Sequence, residues 1–279
     1  MNAMPGRLYV VATPLGNLED LSARALRVLR DVDLIACEDT RRAGRLLRSH
    51  QVATPTTSYF EHNARLKAER ILERLRQGAQ VALVSDAGTP TISDPGFRLV
   101  RWARREGIDV VPVPGPNAAI AALSVSGLPT DRFRFLGFLP SRAGARRRAL
   151  EELAEDPDTL VFHESALRIV DALADMRQIL GDRPAFLCRE ATKLHEEYRS
   201  GSLGELRAEL ASRSSVRGEL TLVVAGAPPR EPAAQERVPE LFAQLTRAGR
   251  TRREAVKEIA RRLRLPSREV YRVVLPEED

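Results

Sequence analysis

Short, mainly apolar runs that alternate with amphipathic stretches constrain this chain more than any other feature. The runs are Leu8–Ala12, Leu34–Cys37, Val81–Ser85, Val110–Val113, Phe133–Phe138, Leu160–His163, Ala185–Cys188 and Leu220–Ala225. Between the early ones lie Leu21–Leu29, Ala64–Arg76 and Phe97–Arg105. In the second of these, Leu66, Ile71, Leu72 and Leu75 recur at the spacing of one helix face. Strands alternating with helices predict an α/β fold with mostly parallel pairing. Runs such as LYVVA and LTLVVA read as nearly continuous apolar runs, the pattern of strands covered on both faces.

Pro112, Pro114 and Pro116 around Gly115 interrupt the chain after the fourth run. Each proline presses its predecessor towards an extended backbone. Ala227–Pro239 (APPREPAAQERVP) reads as a linker, and Leu241–Leu265 beyond it is helical with no strand signal. The expected organisation is an α/β domain over 1–114, a second over 115–230 and a small helical domain over 231–279. No apolar run approaches the ~20 residues of a membrane helix. The opening MNAMPGRLYVVATPLG lacks the long apolar stretch of a signal peptide, so a cytoplasmic protein is expected. Cys37 and Cys188 are too few for a disulfide framework or a four-ligand zinc site and read as small core residues; no metal is expected.

The net charge of +6 is unevenly placed. Between Gly249 and Arg272, nine basic residues face only Glu254, Glu258 and Glu269, a surplus equal to the net charge of the whole chain. A second island, Ser141–Arg148, holds Arg142, Arg146, Arg147 and Arg148 without an acid. Two basic islands on a near-neutral remainder point to a polyanionic partner or, alternatively, to two solvated helix faces. In the tail, Thr251 and Glu254 form a capping-box pattern, and Leu265-Pro266 separates two short helices. Arg252, Arg253, Arg261 and Arg268 would decorate the outside of this helix-turn-helix-like unit. RNA phosphate contact is the preferred reading, with a packing or dimer module as the alternative.

The common nucleotide and hydrolase signatures are missing: no G-x-x-x-x-G-K-[ST], no G-x-G-x-x-G after the first strand, no H-E-x-x-H and no G-x-S-x-G. The informative residues sit just past strand ends, where open α/β sheets bind ligands. Four turns share that placement: Thr13–Asp20, Glu38–Arg42, Ser85–Pro90 and Pro114–Ala119. Gly88 and Gly115 permit close backbone approach there. Asn117 can cap a small-residue helix, and Asp86 is suited to bonding a ligand hydroxyl or amine.

On the segments VVATPLGNLEDLSARAL, ACEDTRR, SDAGTPTISDPG, VPGPNAAIAALSVSGLPTDRF, GFLPSR, TLVFHES, CREATKLHEE and GELTLVVAG, in order from Val10 to Gly226, the chain resembles the tetrapyrrole methylase superfamily, the class III S-adenosylmethionine methyltransferases. TPLGNLED, CEDTR and SDAGTPTISDPG place the resemblance with its RNA-modifying branch, since precursor-methylating relatives carry a GxGPGD turn first and a GGDP-type turn third. The resemblance implies S-adenosylmethionine in a cleft between two α/β domains, and a homodimer. Residue by residue, it implies cofactor contacts at Pro14, Ser85, Asp86, Thr89, Asn117, Ala118, Glu164 and Gly226. Glu164 stands where siroheme-type relatives have a methionine, so a backbone contact is the role it can retain.

The activity so implied is methylation of a cytidine ribose 2′-hydroxyl in the decoding region of small-subunit ribosomal RNA, on naked RNA or the assembled subunit. The methyl donor is already activated, so the enzyme mainly aligns a weakly acidic hydroxyl with it, helped by a positioned base. Candidate catalytic groups are Lys193, Glu190, Asp39 and Glu38, with Arg41 on the RNA. Lys193 is one of only three lysines among 44 Lys and Arg residues, and a buried lysine of depressed pKa can act as a base; a structural ion pair is the alternative. His163 and His195 read as structural. Two rivals stay open: a tetrapyrrole-precursor C-methyltransferase and a non-catalytic ribosome-assembly factor.

Overall fold

Five of the strands form an all-parallel sheet. They are β1 (Arg7–Val11), β2 (Leu34–Cys37), β3 (Thr56–Ser58), β4 (Val81–Val84) and β5 (Asp109–Val113), in the order β3-β2-β4-β1-β5. The computed structural model describes residues 6–59, 64–94, 96–228, 235, 237–263 and 265–274. The crossovers include α1 (Ala23–Asp31), α2 (Thr40–Ser49), α3 (Ala64–Arg76) and α4 (Gly96–Arg105). One core cluster joins Leu8 and Leu83 to Ile71, Leu75 and Leu99, and another joins Val11, Ile35 and Val84 to Leu29 and Leu47. Helices therefore cover both faces, which is why the inner strands β2 and β4 are buried at every position. The side chain of Leu66, expected on the buried face of α3, lies outside the described residues.

The second sheet holds β6 (Phe133–Phe138), β7 (Thr159–Ser165), β8 (Pro184–Arg189), β9 (Glu197–Ser202) and β10 (Glu219–Val224), in the order β6-β7-β10-β8-β9. Among the described residues five strand pairings are parallel and three antiparallel, so mostly parallel pairing holds for the chain, and only the second sheet departs from it. In that sheet only β6–β7 is parallel, and β10 runs antiparallel to both β7 and β8. Continuous apolar runs report burial on both faces, and that carries no information on strand direction. β3 and β9 were not among the expected strands. Both are edge strands, and TTS and EYRSGS are polar, as edges that must not pair further tend to be.

Helix α5 (Ala118–Val125) packs on one face of the second sheet against Val161, Phe186, Cys188 and Val223. Helices α6 (Ala143–Glu151), α7 (Ile169–Leu180) and α8 (Leu203–Ala211) cover the other. The proline turn after Val113 is thus where the chain leaves the first sheet for the second. Both sheets belong to one compact unit, Met1–Ala227, and Pro228–Asp279 forms another. In that second unit α9 (Val238–Arg247), α10 (Arg252–Leu263) and α11 (Ser267–Val274) close on Val238, Val256, Ile259 and Val270. The capping box forms: Glu254 accepts from the Thr251 N–H at 2.9 Å, and Thr251 Oγ1 accepts from the Glu254 N–H at 3.4 Å. Most of the expected linker lies outside the described residues; its last part, Val238-Pro239, already belongs to α9.

Candidate functional site

The four turns after β1, β2, β4 and β5 are tied to one another. Thr13 and Gly88 exchange backbone hydrogen bonds of 2.9 and 3.0 Å, which links the first turn to the third. Gly88 has φ +77°, a conformation glycine alone adopts freely, and Leu15 Cδ2 would lie 3.2 Å from an added Cβ. Asp86 accepts the Asp39 N–H at 3.1 Å through Oδ1 and pairs with Arg42 at 3.2 Å through Oδ2, linking the third turn to the second. Thr89 Oγ1 donates to the Pro116 carbonyl at 3.0 Å, linking it to the fourth. Asn117 caps α5 by accepting the Ile120 N–H at 3.1 Å.

Above these turns lies a cavity of about 400 Å3. Leu15, Glu38, Arg42, Ser85, Asp86, Ile92, Asp94 and Ala118 line it from one side, and Phe138, His163, Glu164, Cys188, Ala191, Glu219, Leu220 and Thr221 from the second sheet. Five carboxylates against one arginine give it an acidic rim over apolar walls. A second cavity of about 440 Å3 shares Leu15, Arg42, Asp86, Ala87 and Glu219 with the first and adds Pro14, Gly16, Leu18, Arg45, Leu46 and Lys193. Its character is cationic, since Arg42, Arg45 and Lys193 outnumber Asp86 and Glu219. Two joined cavities thus differ in the sign of their charge.

The expected catalytic residues separate by electrostatics. Burial, then the charges of Asp86 and Asp94, push the Glu38 carboxyl above its ordinary value, with Arg42 opposing. Asp39 is the N-cap of α2 and accepts from Arg41 N, Nε and Nη2 at 2.8, 3.2 and 3.0 Å. These bonds hold it down at about 2, so it stays ionised and is a poor base. Burial would raise the pKa of Glu190, but a 2.8 Å bond from Lys193 and a 2.9 Å bond from the Glu219 N–H outweigh it and hold the carboxyl low. For Lys193 burial lowers the pKa, yet the hydrogen bond to Glu190 and the charge of Glu219, 3.2 Å away, raise it above the ordinary value. The expectation of a depressed, neutral lysine base is corrected: the ammonium is held between two carboxylates.

Lys193 also joins the two sheets. A Cβ on Gly16 would run into the Lys193 stem, and Thr192 Oγ1 accepts the Asn17 N–H at 3.2 Å. Glu190 and Thr192 hold positive φ values of 53° and 64°, conformations that non-glycine residues keep only when their surroundings impose them.

Ser85, Asp86, Ala118 and Glu164 line the acidic cavity and Pro14 the cationic one. Glu164 is 3% exposed, and its Oε1 accepts from the Ser165 N–H at 2.8 Å and pairs with Arg168 at 2.6 Å, so its side chain is already satisfied. Thr89 and Asn117 are committed to backbone partners. Gly226 follows β10 at the end away from the cavity; an added Cβ would strike the Pro157 carbonyl, so packing explains this glycine and a cofactor contact is corrected. Arg146 is 6% exposed and pairs with Asp175 at 2.6 Å, and Arg147 takes the other Asp175 oxygen at 2.8 Å. Arg146 as an RNA contact is therefore corrected to a buried ion pair. Arg142, Arg252, Arg253, Arg261 and Arg268 are exposed, Arg261 pairing with Glu258 at 2.9 Å, and Arg41 is bound to Asp39.

Sequence reasoning missed several wall residues. His163 faces the cavity, its Nδ1 3.1 Å from Thr221 Oγ1 and its ring centroid 5.0 Å from that of Phe135. Burial lowers its pKa against the pull of Glu219, which favours a neutral ring. Arg42 and Asp94 stood inside recognised motifs, but only the fold shows them at the rim. Cys37 and Cys188 are buried, and burial pushes both thiols up to about 11, which leaves them inert.

Two α/β layers meet at strand ends over these cavities, and the chain belongs to the family of Tetrapyrrole (Corrin/Porphyrin) Methylases, matched over residues 7–207. Within it, the chain is 45% identical over 273 residues to ribosomal RNA small subunit methyltransferase I of Halalkalibacterium halodurans, covering 96% of this chain and 94% of that protein. It is 54% identical over 223 residues to the protein of the same name from Pseudomonas aeruginosa, covering 79% of each. Among solved structures, a cobalt precorrin-4 methyltransferase of cobalamin biosynthesis aligns with a TM-score of 0.58 at 17% identity, over 78% of this chain and 94% of that one. The uroporphyrin-III C-methyltransferase of Thermus thermophilus complexed with S-adenyl homocysteine aligns at 0.55 and 24%, over 78% and 97%. These structures share the fold.

Proposed function

We propose that this chain transfers a methyl group from S-adenosylmethionine to the ribose 2′-hydroxyl of a cytidine in the decoding region of small-subunit ribosomal RNA. The observation that carries the reading is the pair of joined cavities of opposite charge. The acidic one suits a ligand with an ammonium, a sulfonium and ribose hydroxyls, and its apolar walls suit a flat base. The cationic one suits a nucleotide that brings its own phosphates. When bound, the cofactor supplies an activated methyl group. The chain's part is then to align a hydroxyl and to remove its proton.

Asp86 and Ser85 hold the cofactor's polar groups, and Pro14, Leu15 and Ala118 shape the walls. Glu38 accepts the hydroxyl proton, because a raised pKa suits a base and Asp39 and Glu190 are held too acidic. Lys193 acts as a cation. Two of its three N–H bonds serve Glu190 and Glu219, and the third is left for a substrate oxygen in the cavity it lines. Arg252, Arg253 and Arg268 make no ion pair among the described residues and serve as phosphate contacts. A cytoplasmic homodimer completes the reading: the exposed Ile120, Val125 and Phe133 offer a second copy an apolar surface. No described helix is long and apolar enough to cross a membrane.

The name shared by the curated relatives supports the ribosomal substrate. The test is transfer of labelled methyl from S-adenosylmethionine by the purified chain, offered 30S subunits, naked 16S RNA and uroporphyrinogen III in parallel. Label in RNA ribose is expected. Label in the tetrapyrrole alone would establish the precursor methyltransferase, and cofactor binding without transfer would establish the assembly factor.

A further inference from the structure

A groove of about 380 Å3 lies between α3 and the edge of the first sheet, lined by Thr56 and Thr57 of β3 and by Lys67, Arg70 and Arg74 of α3 over the buried Ile71. Among the described residues it contains no acidic side chain. The charges of α3 are segregated. Glu69 and Glu73 both bind Arg76, at 2.8 and 3.1 Å, and Arg76 also binds Glu106 at 2.7 Å, so the acids and their partner occupy one side of the helix. Lys67, Arg70 and Arg74 fall at i, i+3 and i+7, within one stripe on the other side. Lys67 Nζ donates to Thr57 Oγ1 at 3.4 Å. Arg70 and Arg74 are exposed and make no ion pair among the described residues.

Three uncompensated cations in a row repel one another, and a soluble fold gains nothing by lining a groove with them unless an anion enters. From Lys67 to Arg74 the stripe runs about 10 Å at ~1.5 Å per residue. That is long for a single small anion and matched to successive phosphates along a strand. The two threonine hydroxyls add neutral donors, the mix that phosphate-positioning surfaces use.

We propose that this groove is a second RNA-binding surface, in which Lys67, Arg70 and Arg74 hold the phosphate backbone of the ribosomal RNA away from the reacting nucleotide. The proposal rests on the RNA-substrate reading above and adds a place and a set of residues to it. Contacts of this kind position the RNA and read no bases, so they act on affinity and on its salt dependence.

The test is equilibrium binding of the full chain to naked 16S RNA and to 30S subunits across a salt series. The variants are K67Q/R70Q/R74Q and the charge-retaining K67R/R70K/R74K. Each phosphate contact contributes about 0.7–0.9 to the slope of log K against log salt. The neutral triple variant should therefore be shallower by about two to three, while its cofactor affinity and melting temperature stay at wild-type values. The charge-retaining variant should keep the wild-type slope. A wild-type slope in the neutral variant overturns the groove and leaves the substrate reading intact, as does loss of slope in both variants. Loss of 30S binding alone, with naked RNA bound normally, assigns the groove to an acidic protein surface and overturns the RNA assignment. Failure of the wild-type chain to bind either RNA species refutes the substrate reading itself.

Discussion

Replacing Lys193 separates a base from a cation. A lysine amine with an ordinary pKa of about 10.4 is neutral in roughly one molecule per thousand at pH 7.5, so forming the neutral base costs about 4 kcal/mol. The bonds to Glu190 and Glu219 push the pKa upward and the cost with it. General-base catalysis is worth roughly 10²–10⁴-fold, about 3–5 kcal/mol. The ionisation cost therefore offsets most of the gain, and the side chain is expected to act as an ammonium. Lys193→Met keeps the stem that packs against Gly16 but removes the charge. It should lower single-turnover methyl transfer about 100-fold, the order expected for one lost donor to developing charge. Lys193→Arg should restore most of that rate. The wild-type rate should show no limb rising towards pH 10. An arginine variant as slow as the methionine one, with a wild-type rate that climbs tenfold per pH unit above 8, would refute the reasoning.

Glu38→Gln should abolish a pH dependence rather than merely slow the enzyme. Because the Glu38 pKa is raised, its carboxylate form is lost as pH falls through a value above the ordinary carboxylate range, and the wild-type rate should fall there. The glutamine variant should be slow and flat, as read by single-turnover transfer across pH. Asp86→Ala should weaken S-adenosylmethionine binding about 10–150-fold, the equivalent of a lost bond to a charged group at roughly 1.5–3 kcal/mol, with the fold retained; calorimetry reads it. Arg146→Met should cost about 2–3 kcal/mol in thermal melting, less than a fully broken buried pair because Arg147 keeps one Asp175 oxygen. For Asp175 burial acts to raise the pKa, but the Arg147 and Arg146 bonds outweigh it and lower it. This stabilisation is therefore full above the ordinary aspartate pKa and fades as pH falls below it, and denaturant midpoints taken down to pH 3 should converge for wild type and variant. RNA affinity of folded Arg146→Met should be unchanged.

What was legible in the sequence followed from burial. Leu34–Cys37 and Ala64–Arg76 fold with the expected boundaries, because apolar runs and helical spacing record burial directly; Phe133–Phe138 also keeps its boundaries, although most of that strand is exposed or half-buried. The four turns were legible as a group, since glycines and prolines after strand ends announce a shared edge. Strand direction in the second sheet was not, because β10 inserts between β7 and β8 only through the tertiary fold. Electrostatic roles were least legible. Lys193 was notable as a rare lysine, but its partner Glu219 lies 26 residues away in sequence. Arg146 stood in a basic island, and the Asp175 that neutralises it lies 29 residues further on. The groove stripe of Lys67, Arg70 and Arg74 was hidden by Glu69 and Glu73, which make α3 look balanced until Arg76 is seen to take both.

The central claim is that this chain methylates one cytidine ribose in small-subunit RNA. Its most direct test is mass spectrometric mapping of ribose methylation in 16S RNA from cells lacking the gene, complemented with the wild-type gene or with Glu38→Gln. A single 2′-O-methylcytidine in the decoding region should disappear on deletion, return with the wild-type gene and stay absent or strongly reduced with the variant. A methylation pattern that is unchanged by deletion, or a lost methyl group that maps to a base, would contradict it.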